Sequence, residues 1–364
     1  MSSDAELRAG RRDALAEKLV DSVSGYFNIL TVYIGERLGL YDALAAGALT
    51  SGELAERTDT SERYVREWLE QQSMAGVLET DDAALDAEAR RYSIPPGHDE
   101  VLVDRDSLDY LAPLARLAVG AASPLPAVLD AFRSGGGVPY ADYGVDLREG
   151  QGAINRTTFL ELLGREWLPA MKDVDARLRA TPPARIADVG CGVGWSCIGM
   201  ARSYPGAQVH GFDLDEPSVE LARRHADEHG VGERVTFHVR DAAAPELAGR
   251  FDLVTAFECI HDLSDPVGVL RAMRGLMTDD GAALVVDERV ADTFMGEGND
   301  VEHIMYGWSV LHCLPAGMAD QPSAATGTVM RTSTLERYAH EAGFERVEVL
   351  PVDNFFFRLY RLHA

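Results

Sequence analysis

The chain has 364 residues, enough for two or three domains of ordinary size. Its net charge of −25 argues against a nucleic-acid or anionic-membrane surface, since both of these partners attract clustered positive charge. Apolar residues at 46% and charged residues at 26% are typical of a folded globular protein. The N-terminus lacks the apolar core of a signal peptide, and the four cysteines form no CxxC pair. We therefore expect a cytoplasmic protein with free thiols, no membrane span and no metal site.

The first half of the sequence predicts mainly helices. A charged amphipathic helix is expected over residues 4–20, and a more apolar helix over residues 25–46. The apolar side chains of the second helix recur at helical spacing and indicate a helix of the core or of a dimer interface. Tyr26 on this helix is also a candidate for a substrate contact. Residues 98–133 are expected to be helical and mostly buried.

Residues 50–79 have the pattern of a helix-turn-helix. Thr50 and Glu53 fit a capping box that opens the first short helix. The segments 77–80 and 91–94, with an acidic turn between them, are typical of the two strands of a wing. Acidic side chains outnumber basic ones over this part of the chain, so the second helix would be repelled by DNA phosphates. A winged helix used for packing or dimerisation is therefore favoured over one that binds DNA.

The second half changes to alternating strands and helices. A glycine-rich stretch at 134–150 predicts a loop or lid, and helices are expected over 152–179. The alternation that follows predicts an α/β fold whose parallel sheet is covered by helices on both faces. The predicted strands are 185–190, 208–215, 235–242, 251–260, 282–288, 346–352 and 355–362. The predicted domains are 1–133, 134–180 (linker and cap helices) and 181–364.

The glycine-rich sequence DVGCGVG, residues 188–194, lies directly between a predicted strand and a predicted helix. Ligands of open α/β sheets bind at the carboxyl ends of the strands, and glycine lets a cofactor lie against the backbone. Gly190, Gly192 and Gly194 depart from the dinucleotide fingerprint G-x-G-x-x-G, because position 195 is tryptophan. Asp213, at the end of the next strand, can accept hydrogen bonds from ribose hydroxyls. The pattern predicts a nucleoside-bearing cofactor.

This combination resembles the class I S-adenosylmethionine-dependent methyltransferases, over roughly residues 180–364. The resemblance implies a Rossmann-like seven-stranded sheet, parallel except for a final antiparallel hairpin. It implies S-adenosylmethionine as cofactor and S-adenosylhomocysteine as its product. In that family the acid that opens the glycine loop lies near the methionine amino group, and the acids that close the next two strands meet the ribose and the adenine. The cofactor-binding residues implied are Asp188, Gly190, Cys191, Gly192, Gly194, Asp213, Leu214, Asp241, Ala242 and Phe257.

The winged-helix region in front of this sheet is similar to that of small-molecule O-methyltransferases of plants and of bacterial secondary metabolism. In those enzymes a CHDWSD-like sequence provides the general base. Here residues 259–265 read CIHDLSD, which gives that role to His261, with Leu263 in place of the family's tryptophan. The resemblance implies a partner acid at the end of the fifth strand, either Asp287 or Glu288. Histidine titrates near neutrality and can take the proton of a hydroxyl group.

Residues 299–316 lie where relatives cover the substrate, so Tyr306, Trp308 and His312 join Tyr26 as candidate substrate contacts. The sequence therefore predicts a homodimer that transfers a methyl group to a hydroxyl oxygen of a small molecule. We expect neither nucleic acid nor membrane as a partner. Three alternatives stay open: C- or N-methylation, another reaction that uses S-adenosylmethionine, and a cofactor-sensing regulator that binds DNA.

Overall fold

The computed structural model describes residues 2–240, 250–296 and 298–364. It forms two compact units, Met1–Val119 and Gly120–Ala364, while the domain boundaries at residues 133 and 180 stay predictions. Within the described ranges no single helix combines the length and the apolar character needed to cross a membrane. Two neighbouring helices, bent by 49° at their junction, meet these criteria only when they are taken together.

The first unit begins with one long helix where two were predicted. Helix α1 covers Ser2–Arg37 without a break, because no proline interrupts it. Many of its large apolar side chains are exposed, Tyr26 to 56%, so the expected core packing is found only near the end of the predicted range 25–46, where Leu40, Tyr41 and Leu44 are buried. The alternative, a dimer-interface helix, stays a prediction. The other elements are α2 (Leu40–Leu44), α3 (Ser51–Thr58), α4 (Glu62–Met74), β1 (Glu79–Thr80), β2 (Tyr92–Ser93), α5 (His98–Leu102) and α6 (Pro113–Ala122), which crosses the boundary between the units.

Helices α3 and α4 form the predicted helix-turn-helix. The side chain of Thr50 accepts the backbone N–H of Glu53, and the Glu53 carboxylate accepts the backbone N–H of Thr50. This capping box is confirmed. Strands β1 and β2 pair antiparallel as a short wing, and Tyr92 of β2 belongs to the same buried apolar cluster as Tyr41 and Trp68.

The second unit alternates helices and strands, as predicted. The stretch expected to be a loop over 134–150 is shorter, because a helix begins at Gly144 and a 3-10 turn covers Tyr140–Tyr143. The elements are α7 (Leu125–Ser134), α8 (Gly144–Glu161), α9 (Lys172–Arg179), β3 (Arg185–Val189), α10 (Trp195–Ser203), β4 (Gln208–Asp213), α11 (Glu216–Glu228), β5 (Val235–Val239), β6 (Phe251–Phe257), α12 (Pro266–Leu276), β7 (Met277–Glu288), α13 (Asp300–Trp308), α14 (Leu314–Gly317), α15 (Thr332–Ala342), β8 (Arg346–Val349) and β9 (Phe357–His363).

The seven strands of this unit form one sheet in the order β5-β4-β3-β6-β7-β9-β8. Strands β3 to β7 are parallel, whereas β9 runs antiparallel to both β7 and β8. The predicted sheet with its final antiparallel hairpin is confirmed. Apolar side chains fill both faces of the sheet. The parallel strands β3, β4, β6 and β7 end at the same edge, so the polar residues at their carboxyl ends gather there.

Candidate active site

The glycine loop follows β3 and opens α10. Its backbone N–H of Gly192 donates a 2.8 Å hydrogen bond to Oδ2 of Asp213 at the end of β4. Gly192 has a positive φ of 50°, and a Cβ built on it meets no atom within 4 Å. The loop therefore leaves open space beside its backbone, which is what a bound cofactor requires.

Asp213 is fixed from two sides and keeps its side chain partly exposed. Besides the Gly192 bond, Oδ1 accepts the backbone N–H of Asp215 at 2.9 Å. Burial raises the pKa of Asp213 above its ordinary value. Asp215 in turn caps α11 and pairs with Arg148 at 2.6 Å. A carboxylate held in this way is suited to hydroxyl donors of a ribose, so the residues present fit S-adenosylmethionine.

Asp188 is bound by side chains of the protein itself, and its predicted place near the methionine amino group stays a prediction. Its side chain is 1% exposed and its oxygens accept hydrogen bonds from Ser196, Cys197 and Thr255. Burial raises the pKa of this carboxyl group to about 6. Asp188 therefore ties the loop to α10 and β6 from below.

The other predicted cofactor contacts lie in varied surroundings. Cys191 is buried against Gly211, whereas Leu214 is 74% exposed. Phe257 packs on Phe159, with ring centroids 5.2 Å apart, in the core beneath the loop. Their cofactor contacts stay predictions. Asp241 and Ala242 lie outside the described residues.

His261 and Asp287 form a buried dyad. A 3-10 turn after β6 carries His261, and the last two residues of strand β7 are Asp287 and Glu288. Nδ1 of His261 lies 3.0 and 3.1 Å from the two carboxylate oxygens of Asp287, and 3.4 Å from Oε2 of Glu288. Of the two acids left open by the sequence, Asp287 makes the hydrogen bond. Its negative charge favours the tautomer with the proton on Nδ1, which leaves Nε2 to accept a proton.

The charges of this dyad depend on one another. Burial by itself would lower the pKa of His261, but the neighbouring carboxylates of Asp287 and Glu288 outweigh it and raise the pKa well above 6.5. Burial raises the pKa of Glu288, and the His261 charge keeps the pKa of Asp287 below its ordinary value. The carboxylate of Asp287 therefore stabilises the protonated form of His261, and the protonated His261 stabilises the ionised form of Asp287.

Two further acids surround the dyad. Burial raises the pKa of Glu258 to about 8 and that of Asp262 to about 7. For both, His261 is the strongest opposing influence on the pKa. The base side of the site is therefore a desolvated, acid-rich pocket, a typical environment for functional groups.

Two segments of the chain bring a second histidine to this pocket. A π-helical turn over Ser309–Cys313 carries His312, whose Nδ1 lies 3.4 Å from Sγ of Cys313. The ring of Tyr143 contacts His312 edge-on, with centroids 4.5 Å apart. Burial would raise the pKa of the Cys313 thiol, but the His312 charge lowers it to about 5. Cys313 also interacts with His261, so the π-helical turn reaches the base.

The predicted substrate contacts lie in varied surroundings. His312 lies beside the acid-rich pocket, as described. The Tyr306 hydroxyl accepts a hydrogen bond from Arg331, and its ring contacts Phe294, whereas Trp308 packs against the apolar side chains of α13. Tyr26 lies on α1, in the other unit. The substrate roles of all four stay predictions.

Comparison with known proteins defines the class. Residues 181–339 match a family model described as a methyltransferase domain, and residues 27–104 match one described as an Rv2258c-like winged HTH domain. The predicted arrangement, a methyltransferase domain behind an N-terminal winged-helix domain, is confirmed.

Similar proteins span several methyl acceptors. An O-methyltransferase of ubiquinone biosynthesis from Aromatoleum aromaticum is 32% identical over 46% of this chain and 66% of its own length. Norajmaline N-methyltransferase of Rauvolfia serpentina is 39% identical over 25% of this chain and 31% of its own length. The chain thus spans less than two thirds of either relative. The structure of human N-acetylserotonin methyltransferase has a TM-score of 0.70 at 18% identity, with coverage of 96% of this chain and 97% of that one. It shows the same fold.

Sequence reasoning missed Glu258, Gln151 and the Tyr143–His312 contact. Glu258 was visible as a charged residue at the end of an apolar strand, next to the base motif. Gln151 and Tyr143 gave no such signal, because long-range packing brings them to the site.

Proposed function

We propose that this chain transfers a methyl group from S-adenosylmethionine to a hydroxyl oxygen of a small molecule, with His261 as general base. The buried His261–Asp287 dyad, at the same sheet edge as the glycine loop, is the observation that supports this proposal. S-Adenosylmethionine supplies a methyl group on a positively charged sulfur. A hydroxyl oxygen is a poor nucleophile until its proton leaves, so a base at this edge supplies what the reaction needs.

The chain's own residues divide the work. Asp213 and the glycine loop hold the cofactor, and Asp287 fixes the orientation of His261. His261 accepts the acceptor's proton at Nε2. The buried pocket excludes water, which strengthens each of these polar interactions.

The test follows a labelled methyl group. S-Adenosylmethionine labelled in its methyl group is incubated with a panel of phenols, polyketides and metabolite extract, and label transfer is measured by mass spectrometry. We expect transfer by the unaltered protein and a loss of about 10²–10⁴-fold for His261→Ala. His303→Ala, an exposed histidine on α13, is the matched control. Equal labelling by all three proteins would remove the base from the proposal.

N-methylation is a second candidate, and a specific observation favours it. Two carboxylates raise the pKa of His261, and a protonated imidazole cannot act as a base. An amine nucleophile needs no base once it is neutral, and the acid-rich pocket suits a basic acceptor. Label on nitrogen, retained in His261→Ala, would favour this candidate over O-methylation.

We also propose a homodimer that works in the cytoplasm. The exposed apolar side chains of α1 support an interface, since large apolar patches on a surface mark interaction sites. All four cysteines are free, which fits a reducing compartment. The exposed apolar side chains of α1 include Leu15, Leu19, Val20, Val23, Tyr26 and Phe27.

Light scattering of the unaltered protein and of a Leu19→Glu, Val23→Glu variant tests the proposed dimer. A monomeric unaltered protein would contradict the proposal.

A further inference from the structure

The hydrogen bonds of the base dyad leave the carboxyl group of Glu258 unused. Glu258 follows β6 with a positive φ of 49°, a conformation that residues other than glycine adopt rarely. Its Oε2 accepts a 3.2 Å hydrogen bond from Nε2 of Gln151. Its Oε1 is buried and has no hydrogen-bond partner in the described part of the chain. A buried oxygen without a donor costs free energy, and strained backbone gathers at ligand sites. Both features indicate that a ligand supplies the missing donor.

Contacts of the neighbouring residues place Glu258 and Gln151 near the glycine loop. The next residue, Cys259, lies so close to Gly190 that a Cβ there would be 2.8 Å from Sγ. Gln151, the hydrogen-bond partner of Glu258, is followed by Gly152, on which a Cβ would be 2.3 Å from Cγ2 of Val193 in the loop. Glu258 and Gln151 are therefore each one residue away from a contact with the glycine loop.

The resemblance implies that Asp188 lies near the cofactor's amino group, but the carboxylate of Asp188 is occupied by the protein's own donors. Both of its oxygens already accept hydrogen bonds from side chains beneath the loop. A second carboxylate beside the same loop has the free oxygen that Asp188 lacks. We propose that Glu258, held by Gln151, binds the α-ammonium group of the methionine part of S-adenosylmethionine. This assignment rests on the proposed function.

The electrostatics of the pocket agree with a cationic partner. Burial is the main cause that raises the pKa of Glu258 to about 8, and the nearby Asp287 raises it further. An ammonium group beside the carboxylate stabilises the ionised form, as His261 already does in part. A charge-assisted hydrogen bond of this kind is among the stronger ones in proteins.

Two probes separate the amino-acid part from the rest of the cofactor. S-Adenosylhomocysteine carries the α-ammonium group, whereas 5′-methylthioadenosine has the same nucleoside and thioether without it. Calorimetry measures the affinity of each protein for both probes. For Glu258→Gln we expect the S-adenosylhomocysteine affinity to fall about 10- to 100-fold, with methylthioadenosine affinity unchanged. Gln151→Ala should give a smaller loss in the same direction, because it frees the carboxyl group without removing it.

The ratio of the two affinities distinguishes the loss of one contact from a general loss of structure, which would weaken the binding of both probes. Glu302→Gln is the matched control, since Glu302 is also buried and also has an oxygen without a hydrogen-bond partner in the described ranges. We expect it to keep the ratio of the unaltered protein. Asp188→Asn should weaken the fold and affect both probes alike. If the ratio of the two affinities changes in Asp188→Asn and not in Glu258→Gln, Asp188 is the residue that binds the ammonium group, and the assignment is overturned.

Other outcomes are equally decisive. An unchanged ratio in Glu258→Gln would overturn the assignment, and a raised KM for the acceptor in that variant would then give the free oxygen to the acceptor. An unaltered protein that binds neither probe would overturn both this assignment and the proposed methyl transfer. If it binds S-adenosylhomocysteine with the expected ratios but transfers no label, the proposed reaction fails while the assignment stands.

Discussion

The two sides of the candidate site use their acids in opposite ways. On the glycine-loop side, Asp188 and Asp213 accept hydrogen bonds from the protein itself, which fixes the loop before any ligand arrives. On the base side, Glu258 and Glu288 each keep a buried oxygen without a hydrogen-bond partner among the described residues. The first side is therefore a finished scaffold, whereas the charges of the second side depend on ligand and pH. Substitutions should disturb geometry on one side and proton chemistry on the other.

The largest expected effect tests which acid serves the base. Asp287→Asn keeps the size of the side chain but removes the charge that orients His261. We expect kcat to fall about 10²–10⁴-fold, the range of general-base catalysis, with S-adenosylhomocysteine affinity unchanged. Labelled methyl transfer at saturating cofactor measures the first quantity and calorimetry the second.

Glu288→Gln is the matched comparison for that prediction. Glu288 lies 3.4 Å from Nδ1 of His261 without a hydrogen bond to it, so its neutralisation should cost less than tenfold in kcat. Equal losses in the two variants would contradict Asp287 as the orienting partner. A larger loss in Glu288→Gln would reverse the assignment.

The next effect concerns the scaffold side. Gly190→Ala places a Cβ 2.8 Å from Sγ of Cys259 at a residue whose φ is 71°. Strained backbone of this kind costs about 1–3 kcal/mol, so cofactor affinity should fall roughly tenfold or more. Gly206→Ala, where a Cβ meets nothing within 4 Å, is the control. If calorimetry finds the same S-adenosylhomocysteine affinity for Gly190→Ala and Gly206→Ala, the loop accommodates the added Cβ without a loss of cofactor binding.

The scaffold side was largely predictable from sequence. The residues DVGCGVG are contiguous, and Asp213 closes the next strand, so their meeting follows from the rule that parallel strands end at one edge. The resemblance also gave His261 and the choice between Asp287 and Glu288. That choice needed the structure, because both acids close the same strand. The use of Asp188 needed it too, since its partners Ser196 and Thr255 come from different elements.

The base side was less predictable, for reasons of backbone geometry. A positive φ directs the side chain of Glu258, and strand periodicity does not indicate such a residue. A π-helical turn shifts the spacing at His312 and Cys313, so the ordinary helical pattern does not show which residues face the site. In the first unit, α1 exposes the apolar side chains expected in the core, because periodicity does not tell whether a partner lies within the same chain.

The pH dependence of the reaction should report on the base side. Neighbouring carboxylates raise the pKa of His261 above 6.5, and a base acts only in its unprotonated form. The kcat/KM for a hydroxyl acceptor should therefore rise with pH through a limb above 6.5. Glu288→Gln removes one of these carboxylates and should move the limb to lower pH. If kcat/KM does not change with pH, or if its rise lies at the same pH in Glu288→Gln, the titrating group is not His261.

The smallest expected effect uses a histidine away from the site as a contrast. His210 on β4 stacks on His238, and burial lowers its pKa to about 4, opposite to the shift of His261. Its folded-state pKa lies below the unfolded value, so stability should decline as pH falls from about 6.5 toward 4. Urea unfolding of the unaltered protein and of His210→Phe at several pH values measures this, and the variant should lose part of the decline. The contrast matters because burial lowers the pKa of the half-buried His210, whereas the more deeply buried His261 has a raised pKa, which its neighbouring carboxylates cause. A pH-independent difference between the two proteins would contradict the lowered pKa of His210.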